Sequence, residues 1–126
     1  MYVAWEVILV EEVHEWLVAL ARADPASAAS VGAAIDKLAM DGPDLGRPLV
    51  DSIAGSRIGN LKELRPGSAA RTEIRMLFVF DPQRQAVILV AGDKAGNWNR
   101  WYRQIIPVAE QRYERWLQVG YDEEIG

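Results

Sequence analysis

The spacing of apolar residues changes repeatedly along the chain, and each change marks an element. Tyr2 to Val10 sets Val3, Trp5, Val7 and Leu9 against Ala4, Glu6, Ile8 and Val10, so both parities are mostly apolar. That is the pattern of a strand covered on both faces. From Glu11 the period lengthens: Val13, Trp16, Leu17 and Leu20 follow i, i+3, i+4, i+7, which predicts an amphipathic helix to about Arg22. His14 lies one position off that stripe and reads as a solvated helix residue. Asp24-Pro25 reads as an N-cap followed by proline at the first helical position. An Ala-rich second helix then turns Val31, Ala34, Ile35 and Leu38 inward and stops at Gly42-Pro43. Two helices joined by so tight a turn predict an antiparallel hairpin packed on a sheet.

Residues 42–60, rich in Gly and Pro, read as an irregular connection anchored by Leu45, Leu49 and Ile53. Connections of that length are uncommon in compact domains and often functional. Asn60 to Arg65 is a short predicted strand ended by Pro66-Gly67. Arg71 to Phe80 is a longer one, closed by the turn Asp81-Pro82-Gln83-Arg84, and Ala86 to Ala91 pairs back as the third strand of an antiparallel meander. The last helix is expected to begin as a turn near Trp98 and restart at Pro107. It then runs through Val108, Ala109, Tyr113, Trp116 and Leu117 to a cap at Gly120. The expected class is α+β: a helical hairpin on a mainly antiparallel sheet of about four strands, with Val3–Val10 pairing in it, and a C-terminal helix. Residues 1–120 read as one domain and 121–126 as an acidic tail, with no internal repeat or linker.

Composition narrows the chemistry. With 126 residues, half of them hydrophobic, the chain suits a single core. The absence of cysteine excludes disulfides, thiol catalysis and Cys-based zinc sites, and a single histidine excludes a His-cluster metal site. The apolar start is interrupted by Glu6, followed by Glu11 and Glu12, and lacks a basic region. A signal peptide is therefore not expected, no apolar run reaches the ~20 residues of a membrane span, and a cytoplasmic location is. The net charge of −4 argues against nucleic acid until its distribution is read. Residues 1–56 carry 3 basic and 9 acidic side chains, whereas residues 57–115 carry 11 basic and 6 acidic. Phosphate affinity follows the local basic surface, because screening limits electrostatic reach to roughly 8–10 Å at cellular salt.

No Gly-x-Ser-x-Gly, P-loop or dinucleotide motif is present. What remains is a cationic constellation on the meander, Arg57, Lys62, Arg65, Arg75 and Lys94, with Arg100 and Arg103 just beyond. Aromatic Trp98, Trp101 and Tyr102 lie among the last of these. Such residues hold phosphates through guanidinium groups and stack on bases, or else lock a helix onto a sheet. Fixed cations suit one metal-free reaction: attack of an RNA 2′-hydroxyl on the adjacent phosphorus, whose transition state gathers charge on the phosphoryl oxygens. Glu63 is a candidate general base, and a lysine of depressed pKa, Lys62 or Lys94, suits either proton role. Strand parity puts Glu63 and Arg65 on one face and Lys62 and Leu64 on the other. Arg65 and Arg75 are accordingly the phosphate-facing pair, with Lys62 at the margin. The competing reading makes Glu63 and Glu73 simple cross-strand partners of Arg65 and Arg75.

Several ordered motifs resemble one family. They are Gly42-Pro43-x-x-Gly46-Arg47-Pro48, Asn60-Leu61-Lys62-Glu63-Leu64-Arg65-Pro66, Glu73-Ile74-Arg75-Met76-Leu77-Phe78-x-Phe80-Asp81-Pro82, Gly92-Asp93-Lys94-x-Gly96-x-Trp98-x-x-Trp101-Tyr102 and Ile106-Pro107. Together they resemble the phage-derived, HigB-like branch of the RelE/ParE toxin superfamily. The resemblance implies a RelE-like fold with a curved sheet, and a ribosome-dependent mRNA endonuclease of a type II toxin–antitoxin system. It implies a helix-turn-helix antitoxin as partner and needs no cofactor. It places Gly55-Ser56-Arg57 near the binding surface, and Lys62, Arg65 and Arg75 match family positions. Where some relatives carry a C-terminal histidine or tyrosine, this chain has Lys94 and then Trp98 and Tyr102. The superfamily also contains gyrase poisons of the ParE type, and a phage-derived RNA- or protein-binding module is a third reading.

Overall fold

The computed structural model describes residues 4–67 and 72–120. The order is β1 (Glu6–Leu9), α1 (Glu11–Ala23), α2 (Pro25–Asp41), β2 (Val50–Ser52), β3 (Lys62–Leu64), β4 (Ile74–Phe80), β5 (Gln85–Asp93) and α3 (Trp98–Arg115). A 3-10 turn at Gly42–Asp44 follows α2, and a π-helical turn at Trp116–Gly120 follows α3. Among the described residues no helix is long and apolar enough to cross a membrane.

The helical hairpin forms as the pattern predicts. Asp24 caps α2 by accepting the Ser27 N–H at 3.2 Å and the Ser27 hydroxyl at 2.6 Å, with Pro25 opening the helix. Val13 on α1 and Val31, Ala34 and Leu38 on α2 are buried, while His14 is exposed. Gly42 ends the hairpin with φ +55°, and an added Cβ there would overlap the Trp5 ring.

The sheet has five strands in the order β1-β5-β4-β3-β2. β1 lies at the edge, parallel to β5, and the other pairs are antiparallel. Consecutive residues of β4 and β5 are buried, which requires cover on both faces. The α+β expectation holds, with three corrections. The fifth strand, β2, lies in the stretch read as irregular, where it pairs Val50, Asp51 and Ser52 with β3. Three residues between Gly/Pro-rich flanks carry too little periodicity to announce a strand. The last helix does not restart at Pro107 but runs through it. Pro107 is exposed, so the hydrogen bond its missing N–H gives up is lost where water replaces it. Finally, β1 begins at Glu6; the predicted strand positions 2, 3 and 71, like the 121–126 tail, lie outside the described residues.

A bulge aligns α3 with the sheet. Leu77 pairs with Val90 and Phe78 with Ile88, so Leu89 has no partner across the β4–β5 ladder. Arg112 of α3 donates from NH1 to the Leu89 carbonyl at 2.9 Å and satisfies it. One turn on, Arg115 forms a two-bond fork with Glu12 of α1 at 2.8 and 2.7 Å, with Arg112 Nε 3.5 Å away. The hydrogen bonds from Arg115 lower the Glu12 pKa from 4.5 to about 2. A depressed carboxylate stabilises the fold fully above its unfolded value and loses that contribution as pH falls from 4.5 towards 2. Because the Glu12 side chain is 36% exposed, screening limits the effect to about 1 kcal/mol. Glu12→Gln is expected to lower urea stability by about that amount at pH 7 and to flatten its fall below pH 4.5. Equal acid sensitivity of variant and parent in urea titrations at neutral and acid pH would remove Glu12 from the account.

Candidate functional site: a cationic cluster on a buried carboxylate

The site lies where the first turns of α3 cross the face of the sheet over β3 and β4. β3 turns Glu63 and Arg65 to one face, and β4 turns Arg75 to the same face. β5 ends at Asp93, and its Gly92, beside Arg75 in the register, gives the Trp101 ring room: an added Cβ would lie 3.1 Å from Trp101 Nε1. That close approach lets the first turn of α3 lower Tyr102 onto the sheet.

Glu63 is fully buried and is the centre of the network. Its Oε1 accepts from Arg65 Nε at 2.7 Å and lies 3.9 Å from Arg75 Nε. Its Oε2 accepts from the Tyr102 hydroxyl at 2.5 Å. Arg75 also donates from NH1 to its neighbour's carbonyl, Ile74 O, at 2.8 Å. Lys94 closes the ring. Its backbone N–H donates to Glu73 O at 3.0 Å, and its ammonium donates to the Tyr102 oxygen at 3.1 Å. The same ammonium sits 3.6 Å from the centroid of the Trp98 ring and 5.1 Å from that of Tyr102. Trp98 and Tyr102, one helical turn apart, therefore cover a lysine that is only 3% exposed.

Three cations thus converge on one buried carboxylate, and the environment sorts their proton chemistry. Burial, then the nearby Arg75 charge, pushes the Lys94 pKa below its ordinary range. Burial and the bond to Glu63 push the Tyr102 phenol up, so it stays a neutral donor. The hydrogen bond to Glu63 raises the Arg65 pKa, so its charge is permanent. Exposure separates the arginines as well: the Arg65 side chain is 35% exposed and that of Arg75 only 14%. Arg65 is the guanidinium that meets solvent, and Arg75 stands behind it. Among the described residues no group of three His, Cys, Asp or Glu is placed to hold a metal ion.

Of the residues singled out from the sequence, Glu63, Arg65, Arg75, Lys94, Trp98 and Tyr102 come together here. Lys62 alternates to the other face of β3, as its parity requires, and has no side-chain partner among the described residues. Arg100 and Arg103 are exposed on the same two turns of α3 as Trp98 and Tyr102, flanking the cluster without joining it. Arg57 lies elsewhere: with Ser56 it is tied to Glu110, its backbone N–H at 2.6 Å and its Nε at 3.4 Å. Glu110 is two turns past Tyr102, about 12 Å along the helix. Arg57 there pins the 53–60 loop to α3, and its hydrogen bonds hold Glu110 below the usual carboxylate range. Glu63 is walled in, with both oxygens engaged, which is the position of an anchor rather than an open base. Sequence reasoning missed Asp51 and Arg47: Asp51 Oδ2 lies 3.3 Å from Arg65 NH2 and 2.9 Å from Arg47 NH2. The unrecognised β2 hid them.

Comparison with known proteins identifies the family. Residues 15–114 match the family described as phage derived protein Gp49-like. The chain is 56% identical over 111 residues to a protein of Mycobacterium tuberculosis (strain ATCC 25618 / H37Rv) named "Putative toxin HigB3", covering 88% of this chain and 92% of that one. It is 49% identical over 108 residues to "Putative toxin HigB2" of the same organism, covering 86% of this chain but 52% of that protein. No solved structure matches the chain significantly. A family match over most of the chain, together with relatives this similar, leads to one conclusion: the chain belongs to the phage-derived Gp49-like family, among its HigB-like members.

Proposed function

We propose that the protein is the toxin of a toxin–antitoxin pair and acts in the cytoplasm as a metal-free endoribonuclease on ribosome-bound mRNA. The toxin part of this reading draws on the names of its relatives. The observation that carries the chemistry is the cluster itself: Arg65, Arg75 and Lys94 fixed around one buried carboxylate, beside a half-exposed indole. In the reaction the 2′-oxygen bonds to phosphorus and the bond from phosphorus to the 5′-oxygen breaks. A 2′,3′-cyclic phosphate and a 5′-hydroxyl result; the 2′ proton goes to a base and the departing 5′-oxygen takes one up. Arg65 holds the non-bridging oxygens as their charge grows, and Glu63, bonded to its Nε, fixes its fork. Lys94, whose pKa burial lowers from the ordinary lysine range, exchanges protons next to Tyr102. The outer face of Trp98 stacks a base, and Arg100 and Arg103 hold the strand. A small helix-turn-helix antitoxin, encoded beside the toxin, is the partner expected to cover this surface.

Inducing the protein without its antitoxin and mapping new RNA 5′-ends tests the reading. New ends in translated messages, phased to codons, support it; DNA damage without such ends would replace it with gyrase poisoning. A sharper check is the pH dependence of cleavage. With Lys94 as base, the rate should climb with pH through an apparent pKa below the ordinary 10.5 of lysine. Lys94→Met should remove that limb and lower the rate by about 10²-fold or more. An unchanged profile in the methionine variant would take Lys94 out of the proton transfer.

A further inference from the structure

Arg47 has no part in the chemistry above, yet it shares a ligand with the residue at its centre. Its NH2 lies 2.9 Å from Asp51 Oδ2, and Arg65 NH2 lies 3.3 Å from the same oxygen. Two guanidinium groups, one from the loop before β2 and one from the end of β3, thus converge on a single carboxylate oxygen. That is how two arginines hold a non-bridging oxygen of a phosphate. Asp51 is itself fixed from below, because its Oδ1 accepts the Ser52 N–H at 2.9 Å. Unlike walled-in Glu63, this carboxylate lies at the surface: the Arg47 side chain is 78% exposed and that of Asp51 23%. Arg65 joins the two places, with Nε on Glu63 and NH2 on Asp51.

We propose that Arg47 and Arg65 form a second phosphate subsite, which takes the phosphodiester adjacent to the scissile one in single-stranded RNA. Asp51 is the internal anion that this phosphate displaces. The proposal rests on the ribonuclease reading and extends it to a residue, Arg47, and a position on the strand that the reading does not use. Asp51 has two effects. It keeps both guanidinium groups oriented while the site is empty, and it weakens binding of any anion unable to take its place. A single stray phosphate meets a pair whose charge Asp51 partly offsets, whereas a strand anchored at Arg65 and Trp98 brings its next phosphate to the pair at high local concentration.

The test uses the full chain and a 2′-O-methyl RNA hexanucleotide, whose blocked 2′-oxygens prevent cleavage, followed by fluorescence anisotropy across a salt series. Arg47→Ala should weaken binding about three- to tenfold at low salt and reduce the salt slope by roughly 0.7, one phosphate's share for a single strand. Arg22→Ala removes the same charge from the exposed last turn of α1 and should change affinity less than about twofold. Asp51→Asn keeps an acceptor for the Ser52 N–H but removes the competing anion, so it should tighten binding about three- to tenfold. Thermal melts of each variant check that the fold is kept. If Arg47→Ala behaves like Arg22→Ala, or Asp51→Asn weakens binding, there is no subsite here. Should Arg65→Ala abolish binding while Arg47→Ala leaves it intact, the ribonuclease reading stands and the subsite alone falls. A parent protein that binds no RNA overturns the subsite, and the ribonuclease reading falls with it only if induction also yields no codon-phased 5′-ends.

Discussion

Arg65→Ala is expected to lower RNA cleavage by about 10²–10³-fold, the usual consequence of removing one preorganised donor from a developing anion. Arg65 is the member of the cluster that both touches Glu63 at 2.7 Å and keeps its side chain 35% exposed. Its removal leaves Glu63 with the Tyr102 hydroxyl and the more distant Arg75, so some stability is lost too, about 1.5–3 kcal/mol for a hydrogen bond to a charged group. Arg65→Lys separates the two effects. A lysine keeps the charge beside Glu63 but cannot bond Glu63, Asp51 and a phosphate at once, as a planar fork does. It should regain most of the stability and little of the rate. Message cleavage in a translation extract, at protein levels normalised for folded fraction, gives the comparison. A lysine variant that cleaves like the parent would mean the fork is irrelevant; an active alanine variant would mean the cluster is not the site.

Arg75, paired with Arg65 from strand parity, responds differently. Its guanidinium is mostly enclosed, its NH1 is used by the Ile74 carbonyl, and its Nε faces Glu63 without a hydrogen bond. Parity alone placed three of the side chains on one face, and the structure agrees on all of them. What parity cannot supply is depth. Whether an arginine on that face is open or enclosed depends on how α3 crosses it, and Tyr102 meets Glu63 across 39 positions of chain. The helical hairpin was legible because its period is sustained over whole turns and its cap is chemical, Asp24 on Ser27. β2 was not, since three residues offer no period. Lys94 shows the same limit. The sequence offered it, with Lys62, as a lysine of depressed pKa but not the cover that distinguishes the two: Trp98 and Tyr102 come from the following helix and close over Lys94. The reading of Glu63 as a partner of Arg65 was right in its geometry, though within one strand rather than across two. It competes less with function than it first did, because the same bonds that satisfy Glu63 also aim Arg65.

Glu63→Ala is expected to have the largest effect on the fold. Removing the carboxylate leaves the enclosed Arg75 and Lys94, and the inner side of the partly exposed Arg65, without their anion, with the Tyr102 hydroxyl bereft of its acceptor. Stranding buried charges in this way typically costs about 3–5 kcal/mol, which for a domain of this size lowers the melting temperature by roughly 10–20 °C. Glu63→Gln tests what the carboxylate does beyond filling space. Its carbonyl oxygen can still accept from Arg65, but its amide presents hydrogens towards Tyr102 and carries no charge to offset the cations. If Glu63 serves to aim Arg65, the glutamine variant should be destabilised by an intermediate amount. Assayed well below its melting temperature, it should cleave more slowly with a pH profile of the same shape. If Glu63 is instead the general base, the outcome reverses: the glutamine variant melts close to the parent, yet cleavage falls by about 10²-fold or more and the pH-dependent limb disappears. The two roles predict opposite orderings of stability and rate, so one pair of melts and one pH series separates them.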